Sequence, residues 1–210
     1  MRSFIVGFWA RIFSLLRWIS LFQVVSFCSR KFFNKRITYG FVDIWVVGNL
    51  ALSLLFVWIV SYTNRSVLWT ILLIYGFMRV FEVIVYQTNV LLFDHLRGGS
   101  NYTVRSYRRI VILLLHNFCE IILWFAASYI VLANSFINTD SMSMLSTIYS
   151  SFVITTGFGI TKLEPNSSIG LYIIWAQSFS GLFLTLVSLS RFIGLLPTPK
   201  SMDREEQEAD

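Results

Sequence analysis

Charge is scarce in this chain. Only 13% of its 210 residues are Asp, Glu, Lys or Arg, whereas 56% are hydrophobic, and a soluble domain carries about 25% charged residues. With a mean hydropathy of +0.67, an ordinary soluble domain is excluded. One membrane domain is expected, with no room for a large extramembrane one. Cysteine is scarcer still. Cys28 and Cys119 have no metal-ligand spacing, and with one expected in the cytoplasm and the other inside a span they are not expected to pair. A nucleophile–base–orienter set, a phosphate-binding loop and a paired-cysteine motif are also missing. No enzyme and no cofactor are therefore expected.

What is abundant points to lipid. Aromatic residues make up 17%, with 20 Phe and 7 Trp, as suits an outer face that meets acyl chains and headgroups. The net charge of +6 comes without a nucleic-acid motif, so no nucleic-acid partner is expected. Its basic residues stand beside apolar runs: Arg30, Lys31, Lys35 and Arg36 before one, Arg97, Arg105, Arg108 and Arg109 before another. Such clusters are topology signals that face the cytoplasm and can contact anionic lipids.

Four apolar runs, about 42–62, 67–93, 107–133 and 168–195, are long enough for a hydrocarbon core that takes about 20 helical residues. Before them, in segment 1–36, Ser3, Gly7, Arg11, Ser14 and Arg17 recur at helical spacing, leaving Phe4, Ile5, Phe8, Trp9, Ile12, Leu16 and Ile19 largely elsewhere. This is an amphipathic helix suited to the membrane surface, and its arginines fit a cleaved signal peptide poorly. The expected organisation is that segment, a two-helix scaffold at 42–93 with a tight outer turn at 62–66, a basic linker at 94–106, a third unit at 107–195 and an acidic tail at 196–210. The tail is too short to fold alone and gives no ligand-binding domain. With four spans, the basic N-terminal segment, the linker and Arg191 share one side. Both termini are therefore expected in the cytoplasm, with the chain multi-pass in the plasma (inner) membrane.

The most informative stretch is Thr155-Thr156-Gly157-Phe158-Gly159, which follows a Ser/Thr-rich, helix-compatible run at 143–154 and precedes the last apolar run. A half-helix, a Thr-x-Gly-aromatic-Gly string and an inner helix occur in this order in potassium channels. Over residues 107–195 the chain resembles the two-helix pore module of the bacterial members. The fold class this implies is an all-α membrane protein with four transmembrane helices, an N-terminal amphipathic helix, and a re-entrant pore helix with a selectivity-filter loop, assembled as a homotetramer. The resemblance makes K+ the permeant ion, facing the carbonyls of Thr155, Thr156, Gly157 and Phe158, with the Thr155 hydroxyl completing the innermost site. Rings of carbonyls replace the hydration shell of a cation, and Gly157 and Gly159 permit the backbone angles that such rings need. Asp140 or Ser141 is a candidate cap for the half-helix.

This sequence departs from the family pattern at several positions. Thr156 stands for the usual Val or Ile, Ile160 for the usual Asp, and Ser151 for that Asp's carboxylate partner. Thr147 and Ile148 replace bracing aromatics, and Phe158 replaces the Tyr they brace. Partner and partnered group are missing together. In the last run Ser178, Gly181, Thr185 and Ser188 form a small, polar stripe. It is read as a cavity lining, with Gly181 as a hinge and Phe192 at the inner mouth. The plain alternative is that small residues let membrane helices pack closely.

Ionisable residues inside spans are candidates for coupling or pH sensing. Arg79 and Glu82 are three apart, His116 and Glu120 four apart, and Asp43 lies near the inner end of the first span. Inter-helix tethering explains them equally well. His116, Cys119 and Glu120 make a weak metal set. Voltage sensing by a row of arginines is excluded, since Arg79 stands alone in the first two spans. Three alternatives to a potassium channel are a monovalent cation channel of relaxed selectivity, a non-conducting pore-like scaffold or regulatory subunit, and an intramembrane metal or redox protein. Asn64-Arg65-Ser66 and Asn166-Ser167-Ser168 carry the glycosylation pattern.

Overall fold

Ten consecutive residues of one helix, 120–129, are buried on every side, and the rest of the chain is arranged around them. In the computed structural model the described residues are 4–18, 39–63, 67–90, 107–137 and 143–195. They form α1 (Phe4–Trp18), α2 (Tyr39–Tyr62), α3 (Val67–Thr88), α4 (Tyr107–Val131), α5 (Met144–Thr156) and α6 (Ser168–Leu195). Four of these, α2, α3, α4 and α6, are long and apolar enough to cross a membrane. The chain is a multi-pass, all-α membrane protein. Its helices run unbroken because no proline occurs before Pro165, and proline removes a helical hydrogen bond and clashes with the preceding turn.

The bounds differ from expectation at several ends. The first span starts at Tyr39, three residues early, and the second ends at Thr88. The third ends at Val131, because Ala133–Ser135 winds into a 3-10 turn that leads to a two-residue strand, β1 (Phe136–Ile137). Only the last span has the expected limits. The linker 94–106, the tail 196–210, the basic cluster at 30–36, the sequon at 64–66 and Cys28 lie outside the described residues.

Helix α4 is central over its second half, where residues 121–127 are apolar on every side and so need cover all round. It contacts α2, α3, α5 and α6. Phe56 of α2 meets both Trp69 of α3 and Trp124 of α4, at 6.0 and 5.7 Å between ring centroids. Phe77 of α3 meets Phe125 of α4 edge-on. In lipid such packing, together with interhelical hydrogen bonds, drives association, since acyl chains are as apolar as the side chains.

The helices alternate in direction, so the bundle has a base, where α2 and α4 begin, and a crown, where they end. At the base Arg109 donates to Asp43 Oδ1 at 2.7 Å. Both groups are partly exposed, so the pair adds less than about 1 kcal/mol. Helix α1 also docks at the base: Asn89, just past α3, donates from Nδ2 to the Phe13 carbonyl at 3.2 Å. At the crown, β1 pairs antiparallel with β2 (Glu164–Pro165) in the register Phe136–Pro165 and Ile137–Glu164. The Asn166 amide adds a bond to the Ser135 carbonyl at 2.8 Å. This clasp brings the end of α4 to the start of α6 and fixes both ends of the segment between them.

Candidate functional site

That segment carries α5, a helix of 13 residues, about 20 Å long at 1.5 Å per residue and so shorter than a membrane crossing. Ser143 caps its start, accepting from the Ser146 amide at 3.2 Å, so the cap lies beyond the expected Asp140 or Ser141. The helix also runs two residues past the expected end at Ile154 and includes Thr155 and Thr156. Their hydroxyls donate back to the carbonyls of Ser151 and Phe152 at 2.8 and 2.9 Å, which satisfies them within helical geometry. Gly157 then ends α5 in the left-handed region, φ 72°, with its amide on the Val153 carbonyl at 2.8 Å. Gly159 also has positive φ, 116°, and no other described glycine does. The two glycines take the backbone freedom for which they were singled out.

The end of α5 lies halfway along α6. A Cβ added to Gly181 would overlap the Thr155 carbonyl, so glycine permits the two backbones to touch there. Gly170, near the start of α6, touches the crown at the Ser135 carbonyl, and Gly181 is about 16 Å further down the same helix. Residues 144–156 therefore descend from the crown to mid-depth, and 157–165 return.

Behind this descent lies a polar network that the sequence did not reveal. Gln177 of α6 is 0% exposed, and its Nε2 donates to the Ser151 carbonyl at 2.7 Å, to Ser151 Oγ at 2.8 Å and to Thr155 Oγ1 at 2.6 Å. Its Oε1 accepts from the Tyr129 hydroxyl of α4. Ser151 Oγ in turn donates to the Ile122 carbonyl of α4 at 2.6 Å. Four buried side chains from three helices are thus joined, and the Thr155 hydroxyl belongs to this set. In the single chain both the hydroxyl and the carbonyl of Thr155 face α6 rather than the open side of the loop.

The returning segment is the opposite. Among the described residues the carbonyls of Gly157, Phe158 and Gly159 receive no hydrogen bond, as is also true of Thr155 and Thr156 at the end of α5. The Phe158 amide reaches only Thr156 Oγ1, at 3.3 Å. Phe158 is 79% exposed and Ile160 88%. Thr147 is buried and donates to the Ser143 carbonyl. Nearer the loop are Tyr149 and Val153: a Cβ on Gly159 would lie 3.5 Å from the Tyr149 hydroxyl and 3.3 Å from Val153 Cγ2.

The stripe shares one face of α6, at steps of three and four, but its members differ in burial. Ser178, Thr185 and Phe192 are exposed, Gly181 is buried, and Ser188 is half-buried with its hydroxyl on the Leu184 carbonyl at 2.6 Å. At Gly181 the close-packing alternative describes the contact.

The ionisable residues of the spans form a separate cluster. Arg79 donates to Glu82 Oε2 at 3.0 Å, as the spacing implies, and grips both oxygens of Glu120, at 2.8 and 3.2 Å. Trp124 Nε1 donates to Glu120 Oε1 at 3.3 Å, and the guanidinium lies 5.9 Å from the centroid of the Trp45 ring. Glu120 is therefore the partner of Arg79 and not of His116. His116, one turn earlier on α4, is half-buried, with Nδ1 on the Ile112 carbonyl at 2.8 Å. Cys119 is exposed, and no three His, Cys, Asp or Glu side chains gather as a metal set among the described residues.

Comparison with protein-family models, with curated proteins and with solved structures gives no match. The functional reading rests on the site's own geometry and on the motif.

Proposed function

We propose that this chain is a potassium-channel subunit that assembles as a homotetramer and passes K+ passively through the backbone of the Thr155–Gly159 stretch. One observation carries the reading: the carbonyls from Thr156 to Gly159 have no donor among the described residues, at the end of a short helix, beside the middle of a span-length helix. Non-helical backbone at that depth is tolerated only when protein covers it or it lines water. Copies of the same loop around an axis satisfy both conditions. The C-terminal end of α5 adds partial negative charge at the same level, so the species favoured there is a cation. In this reading Thr155 anchors the stretch from behind, and the carbonyls from Thr156 onward supply the oxygen rings that replace hydration water. Both termini face the cytoplasm and the loop enters from outside, in keeping with the basic clusters.

A weakly selective monovalent cation channel is the second reading. It is favoured by Thr156 and Ile160 at positions where a stiff apolar residue and a braced carboxylate are usual, and by the outward exposure of Phe158 and Ile160. The test is cation flux from K+-loaded liposomes containing the wild type or Gly157→Ala. Space is open around Gly157, so alanine there acts through its left-handed backbone, at about 1–2 kcal/mol. The expected result is K+ flux in the wild type and a loss of at least about tenfold in the variant, equivalent to 1.4 kcal/mol. Assembled wild-type protein that passes no cation would make it a non-conducting scaffold.

A further inference from the structure

The residue that fixes the loop's position lies outside the loop. We propose that Gln177 is a positioning residue for the 155–159 stretch, taking over from the inner helix the bracing that a carboxylate pair gives elsewhere; this rests on the channel reading. Ser151 and Ile160 stand where that pair would be, and neither is ionisable. Ser151 has instead become an acceptor for Gln177, at both its carbonyl and its hydroxyl, and Thr155, the first residue of the stretch, is the third acceptor.

The orientation of the amide is determined by its partners. Tyr129 has one hydroxyl proton, and it goes to Gln177 Oε1. Nε2, with two donors and no acceptor capacity, must then point at α5. The Thr155 and Ser151 hydroxyls have their own protons directed elsewhere, to the Ser151 and Ile122 carbonyls, so each is left as an acceptor toward Nε2. Nε2 shares its two N–H groups among three acceptors, no member of the set lacks a partner, and all four side chains are at most 3% exposed. A fully satisfied buried network rigidifies its surroundings. Here the surroundings are the last turn of α5, and the splint runs to α6 one turn before Gly181 touches Thr155. Movement of α6 at this level is thereby transmitted to the start of the oxygen rings.

The experiment uses the full chain in lipid, with Gln177→Met, which keeps the volume but has no donor, and Tyr129→Phe, which removes only the orienting hydroxyl. Hydrogen exchange of residues 152–163 is measured beside the K+ over Na+ permeability ratio. The expected result for Gln177→Met is exchange of that segment at least about tenfold faster, with α2 and α3 unchanged, and a permeability ratio lowered at least about fivefold. That corresponds to one unmade buried hydrogen bond or more. Tyr129→Phe should move both readouts in the same direction by less. It also keeps the test open should Gln177→Met fail to fold. Exchange unchanged in the variants overturns the proposal, as does a permeability ratio that holds while exchange rises. Wild-type protein that conducts nothing defeats the channel reading instead, and the exchange data then decide the splint alone.

Discussion

Two buried polar networks cross the centre of this bundle, and they differ in kind. Toward the base, Arg79, Glu82 and Glu120 are charged and tie α3 to α4. Toward the crown, Gln177, Tyr129, Ser151 and Thr155 are neutral and tie α5 to α4 and α6. A charged cluster in low dielectric is expensive to break, because removing one ion leaves another buried without its partner. A neutral one can lose a member at the cost of one or two hydrogen bonds. The first therefore suits a fixed tether in a scaffold. The second suits a place beside the 155–159 stretch, which in the channel we propose must hold its geometry without a competing charge. Arg79, Glu82 and Glu120 form the tether, whereas the neutral amide of Gln177 lies beside the loop.

Substitutions that separate the two networks test this contrast. The largest effect is expected at Arg79. Arg79→Ala leaves Glu120 fully buried without its cation and should cost about 3–5 kcal/mol, read as a fall in the thermal unfolding midpoint in detergent. A loss no larger than that of Gln177→Met would erase the distinction between the networks. Next is Gly181→Ala, whose new methyl group has no room against the Thr155 carbonyl. It should destabilise by about 1–3 kcal/mol and lower K+ flux per assembled channel. Wild-type flux with unchanged stability would mean that α5 does not seat on α6 as described.

Smaller changes sharpen the picture at its edges. Ser143→Ala removes the cap of α5 and should cost about 1 kcal/mol, visible as faster amide exchange in the first turn of α5 and nowhere in α3. At the base, Asp43→Asn breaks a partly exposed pair with Arg109 and should shift stability by less than about 1 kcal/mol. A larger shift, insensitive to salt, would place that pair in a drier setting than its exposure indicates.

Legibility in the sequence followed distance along the chain. The four spans could be read because each is a continuous apolar run, and the limits of α6 agree to the residue. The Arg79–Glu82 contact was readable because i and i+3 share a helix face. Glu120 is four residues from His116, but its partner lies 41 residues away on another helix, and no helical spacing encodes that. Gln177 did leave a signal: a lone amide within an apolar run at mid-span, a group that seeks a hydrogen-bond partner in lipid. The extent of α5 was misjudged because threonine reads as a filter residue in the motif, whereas here both hydroxyls bond back to the helix.

The central claim is that the backbone around Gly157 and Gly159 carries K+ in preference to Na+. The most direct measurement is the reversal potential of the wild-type protein in a planar bilayer, with K+ on one side and an equal concentration of Na+ on the other. The account predicts a measurable cation current whose reversal is displaced by about 59 mV or more, the equivalent of a tenfold preference for a monovalent ion. A current that reverses near zero, or no current from protein shown to be assembled, would contradict it.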